Sequence, residues 1–217
     1  MTGWRGLVAG LTLWPACALP CDTALLLAID VSNSVDEAEY RLQTDGLADA
    51  LADAEVVEAM VQGQVMIAVM QWSGVDRQVI TTPWTQVMTE ADAAALSVAA
   101  RITPRAIRLS DTAPAEAIRV ALRQFAEVAD CARHIIDMSG DGTPNAGSDV
   151  AFARQMAERQ GVTINGIAIE SLGMAVTGFY LRNVVTRDGF VVTAGGHRDY
   201  PDAIRRKIIR ELARVIG

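Results

Sequence analysis

Asp30, Ser32 and Ser34 stand at alternate positions directly after the unbroken apolar run Leu25-Leu26-Leu27-Ala28-Ile29. They offer one carboxylate and two hydroxyls. These are hard oxygen donors of the kind that Mg²⁺ or Mn²⁺ takes. An apolar run of that length, stopped by a polar residue, reads as a strand buried on both faces. The polar cluster then falls at the strand's C-terminal edge, where open α/β sheets bind their ligands.

The elements that must position this cluster follow in order. A helix is expected after Ser34, because Ser34 and Glu37 have the spacing of a capping box, and Tyr40, Leu47 and Leu51 mark its inner face. A short helix around 56–61 ends at Gly63. Residues 64–72 read as a central strand and 77–84, beside Pro83, as an edge strand. Thr89 caps a helix to Arg101, and 102–110 form a loop rich in arginine. Thr112 opens the next helix, with Pro114 in its first turn and Ile118, Ala121, Leu122 and Phe125 inward. Then come a strand at 134–138, the loop Ser139-Gly140-Asp141-Gly142-Thr143-Pro144-Asn145, a helix over 148–160 and a strand over 162–169. A short helix at 179–186, a short strand at 190–193 and a final helix at 199–216, with Ile204, Ile208, Leu212 and Val215 inward, complete the chain. Strands alternate with helices throughout. The fold class is therefore α/β, one doubly wound and mostly parallel sheet with helices on both faces.

Composition narrows the function. The chain has 217 residues, 51% of them hydrophobic, and a formal charge of −7 with no basic run to offset it. That argues against nucleic acid as a partner. Residues 1–18 read as a signal peptide. Arg5 is the only charge before Asp22, residues 7–19 are apolar but too few to span a bilayer, and Ala16-Cys17-Ala18 supplies a cleavage site. The mature domain is then 19–217, with no membrane span, periplasmic or secreted. Lipidation at Cys17 is the weaker alternative, since Trp14 fits that signal poorly. Cleavage leaves Cys21 and Cys131, each just before a strand. If those strands are parallel neighbours, both cysteines lie at the edge opposite Asp30, and an oxidising compartment would join them. Two buried free thiols are the alternative.

The phrases LLLAIDVSNSVDEAEY, VMQWSG, HIIDMSGDGTPNAG, GVTINGIAI and AIRRKIIREL carry a resemblance. Over roughly residues 21–215 the chain resembles an exported bacterial family of von Willebrand factor A type, domain of unknown function 1194 (DUF1194). The Asp-x-Ser-x-Ser cluster, a threonine at a later helix and an Asp-Gly after another strand look like a metal-ion-dependent adhesion site (MIDAS). The resemblance implies that Ser32 and Ser34 bind a cation through their hydroxyls, Asp30 directly or through water, Thr112 from a second loop, and Asp141 from a third. A sixth position would stay open for the acidic side chain of a protein partner. Asp111, where such proteins carry a small residue, would add a third carboxylate. Arg105 and Arg108 would help select an anionic partner.

Taken singly, Ser34 and Thr112 read as helix caps, and Asp30 and Asp141-Gly142 as turn residues. Their order and their places at element ends favour the cation site. His134 reads as structural, His197 as solvated in a Gly-rich loop, and Trp72 and Trp84 as packing. The expected function is a non-enzymatic binding module. Two alternatives compete with it. One is a Mg²⁺-dependent phosphohydrolase of haloacid-dehalogenase type, since Gly140–Asn145 is similar to that family's fourth motif. It lacks the second acid, because Ser32 stands there, and a lysine in the middle of the chain, because Lys207 is the only one. The other is a metal-free structural docking domain.

Overall fold

β1 (Thr23–Asp30) is buried along its whole length in the computed structural model of the protein, which describes residues 21–170 and 173–213. The segment read as a signal peptide and Val215 lie outside the described residues. Side chains alternate across a strand. Leu25, Leu27 and Ile29 therefore enter one core, and Ala24, Leu26 and Ala28 enter the other. An unbroken apolar run is what a strand covered on both faces requires.

The chain continues through α1 (Glu37–Ala52), α2 (Ala54–Gly63), β2 (Met66–Trp72), β3 (Gln78–Gln86) and α3 (Glu90–Ile102). After α4 (Pro114–Gln124) come β4 (Arg133–Gly140), α5 (Val150–Arg159) and β5 (Val162–Ile169). The last elements are α6 (Ala175–Phe179), β6 (Val191–Ala194) and α7 (Tyr200–Leu212). The strands form one sheet in the order β3-β2-β1-β4-β5-β6, and only β3 is antiparallel to its neighbour. β3 lies at the edge, which is where its Pro83 is tolerated. The expected α/β class and doubly wound sheet are present. So are the inward positions Tyr40, Leu47, Leu51, Ile118, Ala121, Leu122, Phe125, Ile204, Ile208 and Leu212, all buried.

Local differences have physical causes. α1 is capped by Asp36, whose carboxylate accepts from the Glu39 N–H while Glu39 accepts from the Asp36 N–H. The Ser34–Glu37 box is not used. α2 runs through Gly63, and its left-handed closing residue is Gln64, with φ 46°. The segment expected as one helix over 179–186 is instead α6 followed by a π turn, Tyr180–Val184.

Cys21 and Cys131 form a disulfide with a Cα–Cα distance of 4.6 Å. They meet because β1 and β4 are parallel neighbours in a register that sets Thr23 beside Arg133. At the far side of the sheet, Gly189 leads into β6. A Cβ there would overlap the Ile164 carbonyl oxygen, a backbone atom of β5 that cannot step aside. Gly189→Ala is expected to destabilise the protein by about 2 kcal/mol, read from the urea midpoint at unchanged m-value.

Candidate metal centre

The connections from β1 and from β4 leave toward opposite sides of the sheet, so the two strands mark its topological switch point. Asp30 is the last residue of β1, and Asp141 follows the last residue of β4. The divergence of the two loops opens a crevice between them. The Ser32 N–H donates to Asp30 Oδ1 at 2.7 Å, which turns the first loop back over the strand end. Ser32 Oγ and Ser34 Oγ lie 3.1 Å apart, and Ser34 Oγ donates to Asp141 Oδ1 at 2.6 Å. Four of the five residues singled out in the sequence thus form one continuous chain of contacts. They come from loops more than a hundred residues apart in the chain.

Thr112 reaches the same place by a different tie. Its N–H donates to Asn145 Oδ1 at 2.8 Å, and its carbonyl accepts from the Asn145 N–H at 3.1 Å. Asn33 N–H donates to the Ser110 carbonyl at 3.0 Å, which joins the first loop to the second. Ser34, Thr112, Asp111, Asn145, Asn33 and Arg77 line one groove of about 760 Å³. Leu109 and Val75, both exposed, flank it.

The alternative readings of the hydroxyls as caps do not hold. α1 is capped by Asp36, and α4 begins after Ala113 with no side-chain cap. Neither Ser34 nor Thr112 closes a helix, so both hydroxyls are available to the groove.

Burial makes the carboxylates demanding. Asp30 is fully buried, and its Oδ2 has no hydrogen-bond partner. Burial and, after it, the charge of Asp141 push its carboxyl up to about 7, against the opposing effects of Ser32 and Arg105. The buried Tyr180 hydroxyl is likewise without a partner. Both atoms crowd Gly140. A Cβ there would stand 2.5 Å from Tyr180 Oη and 3.0 Å from Asp30 Oδ2. An orphaned carboxylate oxygen, a second carboxylate and neutral hydroxyls fit a hard divalent cation, which would offset the burial of the charge.

Three expectations need correction. Arg105 does not face a partner. Its guanidinium donates to the Val31 and Ser32 carbonyls at 2.8 and 2.9 Å and so holds the first loop in place. Asp111 is exposed beside Gly74, and among the described residues no group of three His, Cys, Asp or Glu side chains gathers as a third carboxylate would require. His197 is not solvated. Its side chain is 9% exposed, with Nδ1 3.1 Å from Glu39 Oε1 and Nε2 3.9 Å from Asp141 Oδ2. Arg108 pairs with Glu37 at the surface. His134 and the two tryptophans are structural as expected. His134 Nε2 lies 3.1 Å from the Val128 carbonyl oxygen, and Trp72 and Trp84 donate to the Ala28 and Gln124 carbonyls.

Comparison with known proteins places this architecture. No curated protein sequence matches the chain. Proximal thread matrix protein 1 from the mussel byssus is similar in structure, with a TM-score of 0.65, 16% identity, and 87% of this chain aligned to 47% of that one. This chain therefore spans about half the length of that protein. A structure of the same mussel protein with a zinc-occupied MIDAS motif aligns with a TM-score of 0.63 at 15% identity, over 88% of this chain and 48% of that one. The vWF domain of the type V pili tip protein Mfa5 from Porphyromonas gingivalis aligns with a TM-score of 0.62 at 11% identity, over 92% of this chain and 99% of that one. The fold is accordingly that of a von Willebrand factor A domain. With a family model matching residues 20–216, the chain belongs to DUF1194, described as a protein of unknown function.

Proposed function

We propose that this von Willebrand A-like domain is a binding module that holds Mg²⁺ or Mn²⁺ in the β1/β4 crevice and uses it to grip a carboxylate of a protein partner. The observation that carries the reading is the buried, unpartnered Asp30 Oδ2 behind the linked Ser32, Ser34 and Asp141 side chains. Ser32, Ser34 and Thr112 would hold the ion through hydroxyls, and Asp30 and Asp141 directly or through water. When bound, the ion supplies a positive charge with a position open to an acidic side chain. The zinc-occupied MIDAS motif of the mussel protein supports a divalent cation on this fold. The groove beside Ser34 and Thr112 is the approach for the partner. The Cys21–Cys131 disulfide supports an oxidising, periplasmic or secreted location, in keeping with residues 1–18 as a signal peptide. In this reading the domain performs no catalysis. The phosphohydrolase alternative would need an acid where the buried Ser32 stands.

Calorimetric titration of chelator-stripped protein with Mg²⁺ and Mn²⁺ tests the reading. Wild type should bind saturably and Asp30→Ala should not; equal binding by both would refute the assignment. His197 Nε2, buried and without a hydrogen-bond partner, lies 3.9 Å from Asp141 Oδ2, close enough to orient that carboxylate for a metal ion. His197→Gln is expected to weaken cation binding about tenfold in the same experiment, with the fold unchanged by circular dichroism.

A further inference from the structure

The chain carries 19 basic residues of the Lys and Arg types, and only one of them is a lysine. That lysine, Lys207 on α7, is completely buried. Its Nζ lies 2.7 Å from Asp137 Oδ2 on β4 and 2.5 Å from Glu211 Oε1 one turn further along α7. Asp137 and Glu211 are themselves buried. Glu211 Oε1 is also held by Asn165 Nδ2 at 2.8 Å, and Asn165 Oδ1 accepts from the Phe190 N–H at 3.1 Å. The Asp137 carboxylate lies between Lys207 and Glu211 and has no amide of this kind to hold it. Neither of its oxygens has a partner in hydrogen-bond geometry, even though Nζ is so close. An amine and a carboxyl are thus pressed together in a buried site, with a second carboxyl touching the amine and fixed in place by an amide.

A buried ion pair alone does not account for the lysine. Arginine makes the better fixed ion pair, and everywhere else this chain uses arginine. What lysine adds is an amine that can give up its proton and act as a nucleophile. Two acids around one ammonium also leave an uncompensated negative charge in the core, which is costly. Condensation would turn one acid and the ammonium into a neutral amide, leaving Glu211 with its Asn165 partner.

We propose that Lys207 and Asp137 join in an intramolecular amide bond, with Glu211 carrying the proton. A proton passes from the ammonium to the Asp137 carboxylate, leaving a neutral amine and a neutral acid. The Nζ lone pair then attacks Asp137 Cγ, and the carbonyl electron pair moves onto oxygen. Glu211 accepts a proton from the nitrogen. As the Cγ–N bond is completed, the Cγ–O bond to the hydroxyl breaks, and Glu211 returns the proton to that departing oxygen. The products are a secondary amide, one water and an unchanged Glu211 carboxylate, and nothing is oxidised or reduced. Burial pushes the Asp137 carboxyl above its ordinary range and Glu211 up to about 7, which suits an acid electrophile and a proton carrier. The Phe190 ring, 5.7 Å from Nζ and covered by Arg210 at 3.6 Å, helps keep bulk water away. A cleft of about 340 Å³ lined by Glu211, Asn165 and Phe190 gives the released water a way out. The bond would fasten α7 to β4 at the heart of the sheet.

Tryptic digestion of the reduced full chain tests this directly. Unlinked protein yields a peptide over 134–154 and cleaves after Lys207. Linked protein yields one branched peptide joining 134–154 to 207–210, lighter than the two together by one water. The branched peptide is expected in wild type and absent from Lys207→Arg. In Glu211→Gln, which retains the volume and a partner for Asn165, it should appear about a hundredfold more slowly after refolding. A wild-type digest containing only the separate peptides would overturn the proposal. Equal rates in wild type and in folded Glu211→Gln would overturn the role given to Glu211.

Discussion

Saturating Mg²⁺ is expected to raise the thermal midpoint of the chelator-stripped protein by about 5–10 °C. Asp30→Asn should abolish that response and, without cation, should melt above the wild type. The first magnitude follows from linkage. At a hundred times the dissociation constant a ligand adds about 2.7 kcal/mol, and each kcal/mol moves the midpoint of a domain this size by about 2–4 °C. The second part is diagnostic because its sign is unusual. Most substitutions at a fully buried polar residue destabilise. Asp30, however, pays for burial with an oxygen that nothing in the protein satisfies, beside the like charge of Asp141. Asn keeps the shape and the acceptor for the Ser32 N–H while removing the charge. A gain of about 1 kcal/mol in the cation-free state is the expected balance. Asp141→Asn should also lose the cation response, but with a smaller gain, since Ser34 already satisfies Asp141 Oδ1. A full Mg²⁺ response in Asp30→Asn, or a cation-free midpoint several degrees below wild type, would remove Asp30 from the site.

The architecture was readable because each major element carries its own local signal. β1 is legible from five apolar residues in a row, and the inner faces of α1, α4 and α7 from helical spacing. The same holds for Asp30, Ser32 and Ser34, which lie within five residues of one another at a strand end. Thr112 and Asp141 needed the resemblance, because nothing local says that their loops converge; the switch point between β1 and β4 sets Asp141 beside Ser34, and Thr112 shares a groove with Ser34.

What escaped was relational. The Ser34–Glu37 spacing and the Asp36–Glu39 spacing are the same pattern shifted by two, and the backbone uses the second. The first loop must stay irregular through Ser34 so that this hydroxyl can reach Asp141, which places the cap beyond it. His197 and Tyr180 sit in the stretch of weakest periodicity, and each reaches the site only through tertiary packing. Arg105 was visible as a cation at the right edge. Its role as a clamp depends on where the Val31 and Ser32 carbonyls point, which composition does not encode. The loops are held by Arg105, Asn145 and Asn33, none of which belongs to the proposed donor set. That separation of holding from binding would let the proposed donors turn to a cation without loosening the loops.

Replacing Cys21 and Cys131 together by alanine is expected to cost about 4 kcal/mol and to lower the midpoint by roughly 10–15 °C. The loop the disulfide closes spans 110 residues, which places it toward the upper end of the chain-entropy range. It encloses β1, β2, β3, α4 and the helices between them, so its loss frees half of the sheet's connections in the unfolded chain. The native state should change little, because β1 and β4 remain paired through seven residues of register without it. The proposed cation site should not change at all. It lies at the C-terminal end of β1, whereas Cys21 precedes the N-terminal end, roughly 25 Å away at the rise of a strand. The double variant should therefore bind Mg²⁺ with wild-type affinity at low temperature while melting well below the wild type. Treating the wild type with dithiothreitol should reproduce the lower midpoint. If the double variant melts with the wild type, the bond does not constrain the unfolded chain. If it instead loses cation affinity while still folded, the two edges of the sheet are coupled, and the disulfide belongs to the function as well as to the fold.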